Sequence, residues 1–405
     1  MSAVRTRGGR TPAALAVGVT LCGSLPVFLT GALSVQLRAD LGFSASLLGV
    51  AVAAYFAVSA VSSAYMGHAA QRIGLYRSMG IAAALACGSM LVAAAAFNYA
   101  SLVVATSLAG LSNALAQPAA NGVIIRDVPE GRRGLSFGIK QSAIPIATLT
   151  GGLAVPLVAL TVGWRWAYLL AAIGAAGTAI LALRQDRDSG TEITRPMSAA
   201  KGRLEYRPLL VLSISAALGA AAATNLGSFV TASAVDLGAS EAAAGLFLAG
   251  GSILGISMRL WSGWISDRRV GDPLTLVAFL LAGGTVGYAL MSVGWMWLFV
   301  PGVALAFGLG WSWPAMFQFA VSRRNPATAA AATGVTQSGV YLGGVTGPIV
   351  FGLIVDHGTY TAAWLTAGTA AACAAVGISL GRRMLAATPA LLDSNPESQR
   401  GSPDR

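Results

Sequence analysis

Twelve apolar runs of about 20 residues follow one another along this chain, each long enough to cross a hydrocarbon core of about 30 Å. The predicted spans are residues 13–37, 45–67, 76–97, 99–123, 134–161, 164–183, 208–233, 243–265, 274–294, 296–321, 329–356 and 360–381. Within lipid, a segment must satisfy its own backbone hydrogen bonds, and a helix does so. The runs therefore predict an all-α membrane protein with twelve transmembrane helices.

The composition agrees with lipid as the solvent. Of the 405 residues, 55% are hydrophobic and only 10% are charged, whereas soluble domains carry about 25% charged residues. The formal charge of +11 does not indicate a nucleic-acid partner, because the basic residues are scattered in short connections without a basic stripe. We find no nucleophile–base set and no cluster of metal ligands, so we expect no enzyme activity, metal or cofactor.

The basic residues instead indicate the topology. All but four of the 26 Lys and Arg lie in alternate connections and at the two termini, and the positive-inside rule then places both termini in the cytoplasm of a cell membrane. The first run continues past the length of a signal peptide, so we interpret it as an uncleaved span. Residues 1–184 are predicted to form one six-helix half, 185–207 a polar cytoplasmic linker, 208–385 a second half and 386–405 a polar tail.

The two halves repeat each other at an offset of 196 residues. The matching pairs are Asp40 with Asp236, Gly67 with Gly263, Arg72 with Arg268, Pro118 with Pro314, Gly138 with Gly334, Gln141 with Gln337, Ser142 with Ser338, and Gly151 with Gly347. One gapless offset indicates a duplicated six-span unit. Parallel repeats of this kind are related by an axis along the membrane normal, with the binding site between them near the midplane. The sequence thus predicts two pseudo-symmetric six-helix bundles.

The connection after span 2 carries a family resemblance. It holds Gly67, Gln71, Arg72 and Gly74, and its counterpart after span 8 holds Gly263, Asp267 and Arg268. Both resemble the loop motif of the major facilitator superfamily, although Gln71 stands where the family usually has an acid. The resemblance covers essentially the whole chain. It implies the major facilitator fold, normally a monomer, and a gating role for Arg72, Asp267 and Arg268, with Asp267 near the N-terminus of span 5.

A second, looser resemblance concerns span 5. The segment from Phe137 through Lys140, Gln141 and Ser142 to Trp166 looks like span 5 of bacterial members that carry organic anions.

Two cations lie inside spans where no acid is predicted to accompany them. Lys140 is placed about 9 Å along span 5 from its cytoplasmic end, and Arg259 lies at a comparable depth on span 8. A charge at the centre of a span costs about 2.5–3.5 kcal/mol on insertion scales, so such a residue normally faces a cavity or a partner. An anionic substrate would supply the missing charge, and arginine binds a carboxylate through two hydrogen bonds. The alternative is that either side chain snorkels to the interface or caps helix carbonyls.

Further candidates for the substrate site are polar residues on the spans expected to line a central cavity. They are Asn113, Gln117 and Asn121 on one face of span 4, together with Tyr55, Gln141, Asn225, Gln337 and Tyr341. Thr336 and Ser63, the repeat mates of Lys140 and Arg259, are also expected to line it. The same side chains would equally serve hydrogen bonds between helices.

The sequence therefore predicts a secondary transporter that moves a small organic anion by alternating access, coupled to protons or to a counter-transported anion. The alternative is a proton-coupled exporter of a drug or metabolite. Exporters of this kind often use a buried Asp or Glu as the proton carrier, and we predict none within the spans. A sensor built on a transporter scaffold would need a longer cytoplasmic domain than this chain provides.

Overall fold

The computed structural model describes residues 10–128, 130–189, 206–268, 272–325 and 328–387. Twelve stretches of helix in these residues are long and apolar enough to cross a membrane, so the predicted number of spans is confirmed. The described secondary structure is helical, without strands.

The helices are, in chain order, Arg10–Ala32 (span 1) with the short extension Ser34–Leu41, Ala45–Ile73 (span 2), Leu75–Ala94 (span 3), Tyr99–Asp127 (span 4), Glu130–Gln141 and Ala143–Ala154 with the π-helical turn Val155–Ala159 (span 5), and Trp164–Ser189 (span 6). The second half comprises Tyr206–Asp236 (span 7), Glu241–Arg268 (span 8), Pro273–Met291 (span 9), Met296–Leu305, the π-helical turn Ala306–Gly310 and Trp313–Arg324 (span 10), Ala329–His357 (span 11) and Tyr360–Ala387 (span 12).

Several helix ends differ from the prediction, and spans 1 and 6 give two examples. Span 1 stops at Ala32, and a new short helix starts at Ser34, whereas the apolar run predicts one helix to residue 37. Span 6 continues as helix to Ser189, past the predicted end of its apolar run. Hydropathy detects only the apolar part of a helix that lies in lipid, so it does not predict a polar extension of the same helix. Most of the predicted linker and nearly all of the tail lie outside the described residues.

Span 5 is interrupted beside Pro145. One helix ends at Gln141, the next begins at Ala143, and Ser142 lies between them. Proline has no N–H, so the carbonyl four residues earlier, here that of Gln141, loses its helical donor. The break therefore leaves a backbone acceptor inside the bundle.

Span 10 is interrupted at the corresponding depth. Its π-helical turn ends at Gly310, Trp311 and Ser312 form a turn, and helix resumes at Trp313 with Pro314 in its first turn. π-Helical turns inside α-helices are frequent at functional sites. Both broken spans thus carry irregular backbone near the centre of the molecule, as transporters do where backbone is buried in protein or lines a cavity.

The repeat mates Tyr168 and Trp364 show the internal symmetry. The Tyr168 hydroxyl is 2.9 Å from the hydroxyl of Thr30, which joins span 6 to span 1. The Trp364 indole donates to Ser233 Oγ at 2.9 Å, which joins span 12 to span 7. Both aromatic side chains are fully buried. Each half therefore closes its bundle with a polar bond from a buried aromatic residue of its last span to its first span.

The two ends of the bundle differ in how closely the halves approach. With twelve spans, the described chain starts and stops at one end, which we call the terminal end, and the opposite end is the far end. At the far end a Cβ on Gly49 would overlap the carbonyl of Pro348, and one on Gly152 would lie 2.6 Å from the Gly245 oxygen. At the terminal end, a Cβ on four glycines would meet nothing within 4 Å; these are Gly67, Gly138, Gly263 and Gly334. The halves are therefore packed closely together at the far end, and these four glycines of the terminal end make no such contact.

Candidate functional site

Lys140 lies in the last turn of the first helix of span 5 and is 1% exposed. Its ammonium donates to the side-chain oxygen of Gln117 and, at 2.9 Å, to that of Asn121, both on span 4. The i, i+4 spacing on one helix face brings both amides to the same nitrogen, as the sequence pattern indicated. In the described structure the amine is thus held by neutral oxygens inside the first half.

A directed chain of hydrogen bonds leads from this lysine to span 2. An ammonium only donates, so it fixes the Gln117 amide with its oxygen toward Lys140 and its nitrogen toward Asn113, at 3.1 Å. The Asn113 amide in turn donates to Ser59 Oγ at 3.3 Å, and that hydroxyl donates to the Gly110 carbonyl at 2.9 Å. The lysine therefore fixes the orientation of the Gln117 amide, from which the chain of donors and acceptors continues to span 2.

Arg259 lies on span 8, is 4% exposed, and connects the two halves. One Nη donates at 2.7 Å to the Gln141 carbonyl of span 5, and the other at 2.7 Å to the Trp311 carbonyl of span 10. Its guanidinium carbon also lies 6.0 Å from the centre of the Trp311 ring. The Nε atom is buried without a partner among the described residues. The guanidinium therefore crosses between the halves and keeps one donor unused.

These contacts bring Arg259 to the backbone of the residue next to Lys140. The Gln141 carbonyl that receives Arg259 belongs to the residue that follows Lys140. The salt bridges of the described residues all lie at span ends, namely Arg126 with Asp127, Arg165 with Asp40 and Arg324 with Asp272. Both central cations thus have only neutral acceptors in the part of the chain that the structure describes, and a buried charge without a counter-charge is costly.

Four other predicted site residues lie at or near the interface. Tyr55 of span 2 is 3% exposed, packs edge-on against Phe56 at 4.9 Å and lies near Tyr341 of span 11. Gln337 accepts from Gln318 of span 10 at 2.7 Å. Asn225 of span 7 is buried, and its side-chain oxygen has no hydrogen-bond partner in the described structure. The side chains of Tyr55, Gln337 and Asn225 are therefore not joined by the described hydrogen bonds to Lys140 or Arg259.

Two expectations from the repeat stay predictions. Thr336 and Ser63, the mates of Lys140 and Arg259, bond to carbonyls of their own helices, at 3.2 Å to Ala332 and at 2.9 Å to Ala60. Hydroxyls in membrane helices often satisfy themselves in this way. The two cations are thus unique to their halves, and the site is asymmetric.

The predicted gating residues lie at the terminal end. Arg72 is exposed near the end of span 2. Asp267 and Arg268 belong to the last turn of span 8, but their side chains lie outside the described part of the chain. Their gating role stays a prediction.

A polar contact that the sequence did not indicate closes the far end. The carboxylate of Asp356, at the end of span 11, accepts the backbone N–H groups of Ala45 and Ser46 at 2.9 and 2.8 Å. These are orphan donors at the start of span 2, where a negative charge is favourable. The second half thus caps a helix of the first half, and this contact must break when the far end opens.

Replacing Asp356 by alanine is expected to shift the protein toward a state with an open far end, because the contact that holds this end closed is lost. A lost N-cap costs about 1 kcal/mol, which corresponds to roughly a fivefold change in population. Thiol labelling of a cysteine at buried Ser228 on span 7, with a reagent applied from the far side, measures that shift. Asp272→Ala is the matched control, since Asp272 caps span 9 within its own half at 3.1 Å. Equal labelling in both variants would contradict the gating role of Asp356.

The sequence analysis missed three contributors to this site: Ser59, Gln318 and the backbone carbonyl of Gln141. Ser59 and Gln318 gave no signal beyond being polar within a span. The Gln141 carbonyl did have a signal in the sequence, because Pro145 lies four residues later and cannot donate the helical hydrogen bond to this carbonyl.

Comparisons with known proteins agree with this architecture. The family model described as Major Facilitator Superfamily matches residues 15–347. A search of curated proteins gives no match. Among solved structures, the crystal structure of a point mutant of the nucleoside transporter NupG aligns with a TM-score of 0.71 and 13% identity, covering 91% of this chain and 99% of that one. At this identity the likeness concerns the fold alone.

Proposed function

Since this chain belongs to the major facilitator superfamily, and is thus a multi-pass membrane transporter and not an enzyme, we propose that it carries a small organic anion with a carboxylate-like charge. Transport proceeds by alternating access, with the two halves rocking around a site that contains Lys140 and Arg259. The far-end closure described above represents one of the two end states of that cycle.

The observation that carries the proposal is the pair of buried cations whose described acceptors are neutral oxygens. Burial removes the hydration of an ammonium or guanidinium, and amide or carbonyl oxygens replace only part of it. A carboxylate offers each cation a charge-assisted bond roughly twice as strong as a neutral one. The anionic cargo would therefore gain most of its binding energy from charges that the protein cannot neutralise itself.

The amides around the lysine suit the same cargo. Gln117 and Asn121 hold the amine in the absence of an anion, and they remain as donors or acceptors when it moves. We propose Asn113, Tyr55, Tyr341, Gln141, Gln337 and Asn225 as secondary polar contacts. Asn225 would contact an anion through its amide nitrogen, because its buried side-chain oxygen, which has no donor in the described structure, only accepts.

Residence in the cell membrane with both termini in the cytoplasm completes the proposal, and it makes the terminal end the cytoplasmic one. Coupling to protons, or exchange for a second anion, would drive the cycle, and a monomer contains the whole site. The exporter alternative lacks a comparable observation, because the described salt bridges lie at span ends and the sequence places the acidic residues in loops, at span ends or in the tail.

A thermal-shift screen of purified protein tests the substrate class. The panel contains mono- and dicarboxylates, sugar phosphates, neutral nucleosides and hydrophobic cations. A ligand at 100 times its Kd stabilises the native state by about 2.7 kcal/mol, so we expect carboxylates to raise Tm by several degrees and nucleosides and cations to leave it unchanged. Stabilisation by a neutral or cationic class alone would refute the anion proposal.

A further inference from the structure

We infer that Arg259 acts as a latch between the two halves, that Pro145 makes this latch possible, and that the transported anion releases it. The latch is defined as the Arg259 guanidinium with the carbonyls of Gln141 and Trp311. This inference rests on the proposed anionic substrate for its release step, whereas the latch itself rests on geometry alone.

The first argument is the position of the bond that crosses the interface. Arg259 belongs to the second half, and Gln141 belongs to the first, so their 2.7 Å hydrogen bond ties the halves together. The partner on the other side, Trp311, anchors the guanidinium to its own half, also at 2.7 Å. The spans pack directly at this depth, since a Cβ on Gly255 would lie 3.8 Å from the Cβ of Pro145.

The second argument concerns why the Gln141 carbonyl is available. In an unbroken helix it would accept the N–H of residue 145, but that residue is proline. A buried carbonyl without a donor is unfavourable, and the guanidinium supplies the donor. Pro145 is therefore a positioning residue: it exposes the acceptor that holds Arg259 at the interface.

The third argument concerns access. Lys140 and Arg259 are 1% and 4% exposed, so a substrate reaches them only when the halves separate at this depth. Separation breaks the bond from Arg259 to Gln141, and a carboxylate that approaches the guanidinium offers a stronger bond in exchange. The unused Nε–H is a donor that an arriving anion can engage. The empty carrier stays latched, and the anion provides the free energy to unlatch it.

The test uses Pro145→Ala, which returns a helical N–H to Gln141 and so competes with Arg259 without removing any charge. Pro301→Ala is the matched control, because Pro301 also lies inside a helix but is exposed on span 10, away from the interface. Spin labels at exposed Ile125 and Tyr206, on opposite halves of the terminal end, report separation without any ligand. They are placed in a background with Cys22, Cys87 and Cys373 replaced by alanine.

Without ligand, Pro145→Ala is expected to move the label distances toward a wider separation, while Pro301→Ala leaves them as in the parent. Binding of the best carboxylate from the screen should tighten about tenfold, since the anion no longer breaks a charged hydrogen bond. In proteoliposomes, the ratio of anion exchange to net efflux should fall, because the empty carrier reorients more readily. A purely structural role for Pro145 would lower both fluxes together and leave their ratio unchanged.

Unchanged label distances together with unchanged affinity would overturn the latch while leaving the proposed function intact. If the labels move but no carboxylate binds to any variant, the latch stands and its release by an anion is refuted along with the proposed cargo. The two failures are thereby distinguishable.

Discussion

Uptake of the cognate anion is expected to fall at least about 30-fold when either central cation is removed. Losing one partner of a buried charged pair costs about 2–5 kcal/mol or more, and each 1.4 kcal/mol is a factor of ten. Lys140→Gln is the clearer test of charge, because its neutral amide can still hydrogen-bond to Asn121 and occupies most of the space of the lysine side chain. Arg259→Ala also leaves two carbonyls without a donor, so a part of its effect is lower stability.

Radiolabelled uptake into proteoliposomes measures the loss, with size-exclusion profiles as a check on folding. Arg165→Ala removes one positive charge at the exposed far end and serves as the control for net charge. Arg259→Lys should retain part of the activity, because it keeps the charge and loses the planar fork. Uptake within twofold of the parent in both Lys140→Gln and Arg259→Ala would refute the proposed anion site. The assignment of the transporter fold does not depend on that result.

A bulky residue at Gly49 is expected to stop transport without unfolding the protein. A Cβ there would overlap the Pro348 carbonyl and lie 3.1 Å from Ile349 Cα, on the other half. Gly49→Val therefore prevents closure of the far end. The halves separate at this end during the cycle in any case, so the variant is trapped in a state that the protein normally visits.

Gly343→Val provides the contrast, because its clash is with the Ala217 carbonyl of the same half. Those two helices do not separate during transport, so overpacking costs about 1–3 kcal/mol of folding stability and lowers Tm. Gly174→Ala, where a Cβ meets open space, should match the parent. Labelling of a cysteine at Ser228 from the far side should be complete in Gly49→Val; protection of that cysteine would contradict the trapped state.

The twelve apolar runs and the offset of 196 residues predicted twelve spans in two repeated halves, and the loop motifs after spans 2 and 8 indicated the family. These are local or repeated features, and burial in lipid requires each run to satisfy its own backbone hydrogen bonds, as a helix does. Errors occurred at helix ends, such as Leu33 and Ser189, where the chain leaves the apolar region and hydropathy no longer distinguishes helix from loop. The repeat also could not predict the hydrogen bonds of Thr336 and Ser63 within their own helices, because it preserves backbone positions and places no constraint on where a hydroxyl bonds.

The candidate site was only half determined by the sequence. Two cations in apolar spans are visible in the sequence because their insertion cost is a property of single residues, and the face of span 4 with Gln117 and Asn121 follows from helical spacing. The acceptors of Arg259 come from residues 118 and 52 positions away, and which end of the bundle is closed depends on helices from different halves. Such contacts are set by how whole helices pack against each other, and therefore only the tertiary structure decided them.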